Sequence, residues 1–167
     1  FTDPSYTGQV LIMNNAYIGN YGVKNTDVES DSIKIAGLIC KNVSRRYSRM
    51  VADGSLEEYL IANNLVSIYD VDTRALVQHV RSKGAMNCII STELTDEESL
   101  KAELAKVPSM DGLELSSQVS TKSVYTLGNP DAEYRIAVLD YGVKKNILNC
   151  LVERGAYVKV YPAKTEI

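Results

Sequence analysis

The chain has 167 residues, 45% apolar and 23% charged, with a net charge of −3. That balance is ordinary for a globular protein, and it supplies no basic surplus to draw a nucleic acid or an anionic membrane. No apolar run approaches the roughly 18 residues of a membrane span, no signal peptide is expected, and a metal site is not expected because C-x-x-C is absent and His79 is the single histidine.

The core must be built from Val, Ile, Leu and Tyr, since Trp is absent and the one Phe is residue 1. Beginning at Phe1 rather than Met, the chain is expected to be a fragment or a processed piece. Residues 3–6, Asp-Pro-Ser-Tyr, form a turn: Pro4 fixes φ, and Asp3 and Ser5 can bond nearby backbone. Residues 9–13 read as a strand, followed by a turn-rich stretch from Asn14 to Gly22 with two Gly and three Asn. Residues 23–32 are polar and acidic, and residues 33–40 read as a second strand. Within it, Gly37 marks a bulge or a close backbone contact.

Ser55-Leu-Glu-Glu58 is a capping box that opens a helix over residues 56–62. Residues 67–71 then form a strand running straight into a helix. Asp72 or Thr73 caps it, Leu76, Val77 and Val80 make its apolar face, and Gly84 stops it. Arg74 fits this pattern poorly, because the first helical turn repels a cation. Either Asp70 and Asp72 offset it in a local Arg–Asp cluster, or the D-x-D-T-R corner serves docking or recognition. Residues 87–91 read as a further strand. Thr95-Asp-Glu-Glu98 reads as a second capping box, starting a helix that runs to about Val107 before Pro108.

From Ser116 to Glu133 the composition turns polar and punctuated, the pattern of a linker. Residues 135–140 form a strand, 141–146 a loop, 147–154 a helix closed by Gly155, and 157–161 a strand. This β-α-β unit is expected to be right-handed and to need neighbours that cover its sheet. The fold class is α/β, with residues 1–117 a mixed β/α domain, 118–133 a linker and 134–167 an incomplete second domain.

Cys40, Cys88 and Cys150 lie in apolar contexts and are expected to be buried free thiols in a reducing compartment. A Cys–His catalytic pair would need His79, a helix residue, to meet one of them. The loop 140–146 sits at the carboxyl end of a strand, where open α/β sheets place ligands. Without G-x-G-x-x-G it is a poor dinucleotide site. Asp140 either caps the helix region, with Lys144 and Lys145 solvated, or is a phosphoacceptor of the receiver type.

Four motifs occur in an order that spans nearly the whole chain: Thr2-Asp-Pro-Ser-Tyr6, Ile18-Gly-Asn-Tyr-Gly22, Asp70-Val-Asp-Thr-Arg74 with Arg81-x-Lys-Gly84, and Asp140-Tyr-Gly-Val-Lys-Lys-Asn-Ile-Leu148 with Arg154-Gly155. Together they resemble the small, glutamine-hydrolysing subunit of carbamoyl phosphate synthetase. The resemblance implies an N-terminal small-subunit domain followed by the start of a flavodoxin-like type 1 glutamine amidotransferase domain. It also implies an activity: glutamine hydrolysis at a Cys–His–Glu site, with ammonia passed to a large subunit. That partner makes carbamoyl phosphate from bicarbonate and ATP for arginine and pyrimidine synthesis in the cytoplasm.

The family's G-x-C-x-G-H-Q elbow and later His–Glu pair do not occur here, so no catalytic residue is expected in this chain. No cofactor is expected in it either, since ATP and metal belong to the large subunit. The resemblance assigns Ser5 a contact to bound glutamine, for which a hydroxyl that donates or accepts is suited. Ile18–Gly22 is either only a tight turn or a wall of the same pocket. The contrasting reading of the chain is a non-catalytic interaction domain that docks a larger synthetase.

Overall fold

Aliphatic residues run together first in β1, Val10–Met13, and again in β2, Gly37–Cys40, and these strands pair in parallel with Val10 opposite Gly37 and Met13 opposite Cys40. The computed structural model describes residues 1–166. It resolves into two compact units. One holds Phe1–Thr7, Val28–Lys34 and the chain from Glu114 onward; the other holds Gly8–Asp27 and Ile35–Leu113.

In the second of these units a parallel sheet has the order β1-β2-β3, where β3 is Ser67–Ile68. The central strand is the most buried, with Leu38 and Cys40 fully enclosed, as expected for a parallel sheet covered on both faces. Helix α1, Leu56–Ala62, connects β2 to β3 and buries Leu56 and Leu60. Its capping box forms as read: Ser55 Oγ accepts the Glu58 N–H at 3.1 Å, and Glu58 Oε2 accepts the Ser55 N–H at 3.0 Å. Helix α2, Thr73–Lys83, is capped by Asp72 and ends at Gly84, whose φ is 90°. Helix α3 spans Glu97–Leu104.

Several local expectations are corrected. The second strand is only Gly37–Cys40; Ile33 and Lys34 belong to the segment Val28–Lys34, which is part of the other unit. The third strand stops at Ile68, because Asp70 adopts a left-handed φ of 63°. Residues 87–91 form no strand. Asn87 instead donates to the Val107 carbonyl at 2.8 Å, and Ser91 Oγ accepts the N–H groups of Glu93 and Leu94. Such side-chain bonds compete with a ladder. The cap of α3 is Asp96, not Thr95; its carboxylate accepts the Ser99 N–H at 2.8 Å. An ionised carboxylate also gains from the helix dipole, which a threonine hydroxyl does not.

In the other unit, β5 (Tyr134–Asp140), α5 (Lys145–Glu153) and β6 (Ala156–Pro162) form the expected β-α-β, with β5 and β6 parallel in register from Tyr134–Ala156 to Asp140–Pro162. The stretch read as a linker contributes a short helix α4, Ser116–Val119, and a strand β4, Tyr125–Leu127, which pairs antiparallel with β6. The sheet order is β4-β6-β5. Leu148, Ala156, Val158 and Val160 form its buried core, with Leu127, Ile136, Val138, Leu151 and Val152 packed against them. The alternation of Val158 and Val160 with exposed Lys159 is the period-2 pattern that makes β6 recognisable in sequence. Among the described residues no helix is long and apolar enough to cross a membrane.

Candidate functional site

Proline at position 4 fixes φ for a single 3-10 turn over Pro4–Tyr6, with Asp3 as its cap. Asp3 Oδ1 accepts the Ser5 N–H at 3.0 Å, and the Asp3 carbonyl accepts the Tyr6 N–H at 3.1 Å. Pro4 is buried, whereas Ser5 is exposed on the turn. Within the same unit, this turn meets the loop that follows β5.

That loop is organised by Asp140. Its Oδ1 accepts the N–H groups of Gly142 and Val143 at 2.9 Å each, and its Oδ2 accepts the Thr121 N–H at 2.7 Å. The residue is only 6% exposed, yet each carboxylate oxygen has a donor, as a buried charge requires. Asp140 thus organises its own loop rather than capping the helix, since the N-cap of α5 is Lys144; with both oxygens engaged by backbone, it does not present itself as a phosphoacceptor. Gly142 has φ of 96°, and a Cβ there would lie 2.8 Å from Val119 Cγ2 and 3.1 Å from Pro4 Cβ. Only glycine lets the N-terminal turn approach this closely.

Two further ties hold the turn. Lys144 Nζ pairs with Asp3 Oδ2 at 2.7 Å, so Lys144 is not simply solvated. Partial burial pushes the Asp3 carboxyl up, but the Lys144 ammonium and the Ser5 N–H together more than offset this and hold it below the ordinary carboxylate value. The same bond to Asp3 raises Lys144. The second tie runs through Glu29, whose N–H donates to Thr2 Oγ1 at 2.9 Å and whose carboxylate accepts the Asn146 N–H at 3.0 Å. Nothing in the polar stretch around Glu29 marks it in sequence; its partners lie 27 and 117 residues away. Beside these groups is a cavity of about 460 Å3, lined by Glu29, Lys34, Thr121, Tyr125, Asp140 and Asn149 among others.

Two further candidate segments lie in the other unit. Ile18–Gly22 is a tight turn bonded to residues 42–54: Ile18 N–H donates to Asn42 O at 3.0 Å, Ser48 N–H to Asn20 O at 2.9 Å and Val23 N–H to Gly54 O at 3.0 Å. At the D-x-D-T-R corner the acids have other duties than an Arg–Asp cluster. Asp70 pairs with Lys41 at 3.2 Å and Asp72 caps α2 through the Ala75 N–H. Arg74 is exposed, and among the described residues no ion pair joins it to either acid.

The thiols are not uniformly buried. Cys40 is fully enclosed, and burial pushes its thiol up, the reverse of what a nucleophile needs. Cys150 is half-buried, and Cys88, expected inside, is exposed because its segment joins no sheet. His79 is exposed on α2.

Comparison with known proteins places these features in a family. The family model described as carbamoyl-phosphate synthase small chain, CPSase domain, matches residues 1–90. Proteins named carbamoyl phosphate synthase small chain align along almost the entire chain. The one from Synechococcus is 44% identical over 99% of this chain and 46% of its own length. Those from Chlorobaculum tepidum and Thermotoga maritima are each 43% identical, over 98% and 99% of this chain and 45% and 42% of their own lengths. The chain thus spans just under half the length of these curated relatives. It belongs to the family of the carbamoyl-phosphate synthase small chain.

Proposed function

We propose that the chain is the N-terminal part of the glutamine-hydrolysing small subunit of a carbamoyl phosphate synthetase. Residues 1–117 are then the small-subunit domain, 118–133 a connecting stretch, and 134–167 the opening of a type 1 amidotransferase domain. The complete protein hydrolyses glutamine and passes ammonia to a large subunit in the cytoplasm, which binds ATP and metal and makes carbamoyl phosphate for arginine and pyrimidine synthesis. No catalytic residue lies in this chain, and Ser5 contributes a contact to glutamine.

The observation that carries this reading is the position of Ser5. It is exposed on a turn tied by Asp3–Lys144 and Gly142 to the loop after β5, and the carboxyl ends of parallel strands are where α/β sheets bind ligands. A hydroxyl on such a turn is of the type that suits the ammonium and carboxylate of an amino acid.

The test is to combine the full-length protein with its large partner and supply bicarbonate, ATP and either glutamine or ammonia. Carbamoyl phosphate formation from glutamine that needs the small subunit, and from ammonia that does not, is the expected result. Failure of glutamine to serve as donor, with the complex intact, would leave only a docking role.

A further inference from the structure

Helix α5 starts badly by its own sequence. Its N-cap Lys144 makes no side-chain cap bond, no acid stands in its first turn, and Lys144 and Lys145 place two cations at the positive end of the helix dipole. The missing acceptors come from Glu29. Its carbonyl accepts the Lys145 N–H at 2.9 Å and its carboxylate Oε2 accepts the Asn146 N–H at 3.0 Å. One residue therefore satisfies two of the exposed donors that every helix start leaves and puts a negative charge where the dipole favours it.

Glu29 is held from its other side by the N-terminal segment. Its N–H donates to Thr2 Oγ1 at 2.9 Å, and Ser30 Oγ donates to the Thr2 carbonyl at 2.6 Å. Thr2 is only 8% exposed, so both of these bonds lie where water competes weakly. Thr2 leads directly into the Asp3–Tyr6 turn, and Asp3 is fixed in turn by Lys144. The turn that carries Ser5 is thus fastened to the start of α5 at two places, directly through Asp3–Lys144 and indirectly through Glu29, which bonds Thr2 on one side and Lys145 and Asn146 on the other.

We infer that Glu29 is a positioning residue for glutamine binding: it locks the Thr2–Tyr6 turn to the N-terminus of α5 and so fixes where the Ser5 hydroxyl stands. This rests on the reading of Ser5 as a glutamine contact. Glu29 touches no substrate; it acts through the turn. Lengthening or loosening that tie lets Ser5 wander while leaving the chemistry of amide cleavage, performed by residues elsewhere in the full-length protein, unchanged.

The test is steady-state glutamine hydrolysis by the full-length protein with its large partner, comparing Glu29→Ala, Glu29→Gln, Ser30→Ala, Ser5→Ala and the Ser5→Ala/Glu29→Ala double variant. Glu29→Ala is expected to raise KM for glutamine by about 2- to 10-fold with kcat nearly unchanged, the signature of lost ground-state binding. Glu29→Gln should stay close to wild type, because its amide oxygen accepts the same Asn146 N–H. Ser30→Ala should raise KM in the same direction, and the double variant should be no worse than Ser5→Ala alone, since both changes act on one contact.

A normal KM in Glu29→Ala, with KM raised in Ser5→Ala, overturns the positioning role and leaves the Ser5 reading standing. Loss of kcat at constant KM, or full additivity in the double variant, also overturns it. A normal KM in Ser5→Ala overturns the Ser5 reading and the positioning role with it. If Glu29→Ala does not fold, Ser30→Ala decides, and an unchanged KM there counts against the inference.

Discussion

Asp140, at the end of β5, accepts the N–H of Thr121, 19 residues earlier, at 2.7 Å. The bond ties the segment before β4 to the loop that receives the N-terminal turn, and it does so with a buried carboxylate whose other oxygen holds Gly142 and Val143. Asp140 is thus an anchor for three backbone donors.

Asn at position 140 has one accepting oxygen where Asp has two. Whichever way the amide turns, its NH2 faces a backbone N–H. Asp140→Asn should therefore destabilise the chain by about 1–3 kcal/mol, read as a lower midpoint in chemical denaturation. An unchanged midpoint would mean the loop rearranges without loss.

Asp3 gives a pH signature. Its carboxyl is held below its ordinary value of 3.8 in the folded chain. Its stabilising contribution is then complete above 3.8 and drains away as pH falls through the lower folded value. An NMR titration of the Asp3 carboxyl should show a midpoint below 3.8, and Lys144→Met should move it upward. A midpoint that does not respond to Lys144→Met would show that the pair does not persist in solution.

Gly22 combines a left-handed φ of 67° with a close approach: a Cβ would lie 2.6 Å from the Gly54 carbonyl oxygen. Backbone cannot yield as a side-chain tip can. Gly22→Ala is expected to cost about 1–3 kcal/mol, whereas Gly112→Ala, also at positive φ but with nothing near its Cβ, should cost less. Equal costs would show that steric contact at Gly22 adds nothing beyond backbone strain.

Ser55→Ala removes the acceptor for the Glu58 N–H and half of a formed capping box. Loss of about 1 kcal/mol is expected, with Ser55→Asp near neutral because its carboxylate accepts the same N–H. A loss well beyond this would mean that Ser55 does more than start α1.

The parts of the fold written in short-range chemistry were legible. Val158 and Val160 alternate with Lys159, Leu148, Leu151 and Val152 repeat at helical spacing, and Ser55 and Glu58 stand three apart, so β6, α5 and the start of α1 follow from local rules. Residues 87–91 have the composition of a strand, but a strand needs a partner, and Asn87 and Ser91 bond elsewhere. Cys88 is exposed for the same reason. Of the site, the Pro4 turn could be read directly, whereas Asp140, read as a helix cap, holds its own loop and the Thr121 N–H instead. Glu29 could not be read, since its role depends on a helix start 117 residues away that local pattern never brings beside it.

The most direct measurement is ammonia release from glutamine by the purified 167-residue chain beside the full-length protein. Amide hydrolysis by the proposed thiol route needs a thiolate, a base and oxyanion donors. Cys40 is buried with its thiol pushed up, and His79 stands exposed on α2. The expected result is turnover by the full-length protein and none by this chain. Turnover by this chain that is abolished by replacing Cys40, Cys88 or Cys150 would contradict the assignment of catalysis to residues outside it.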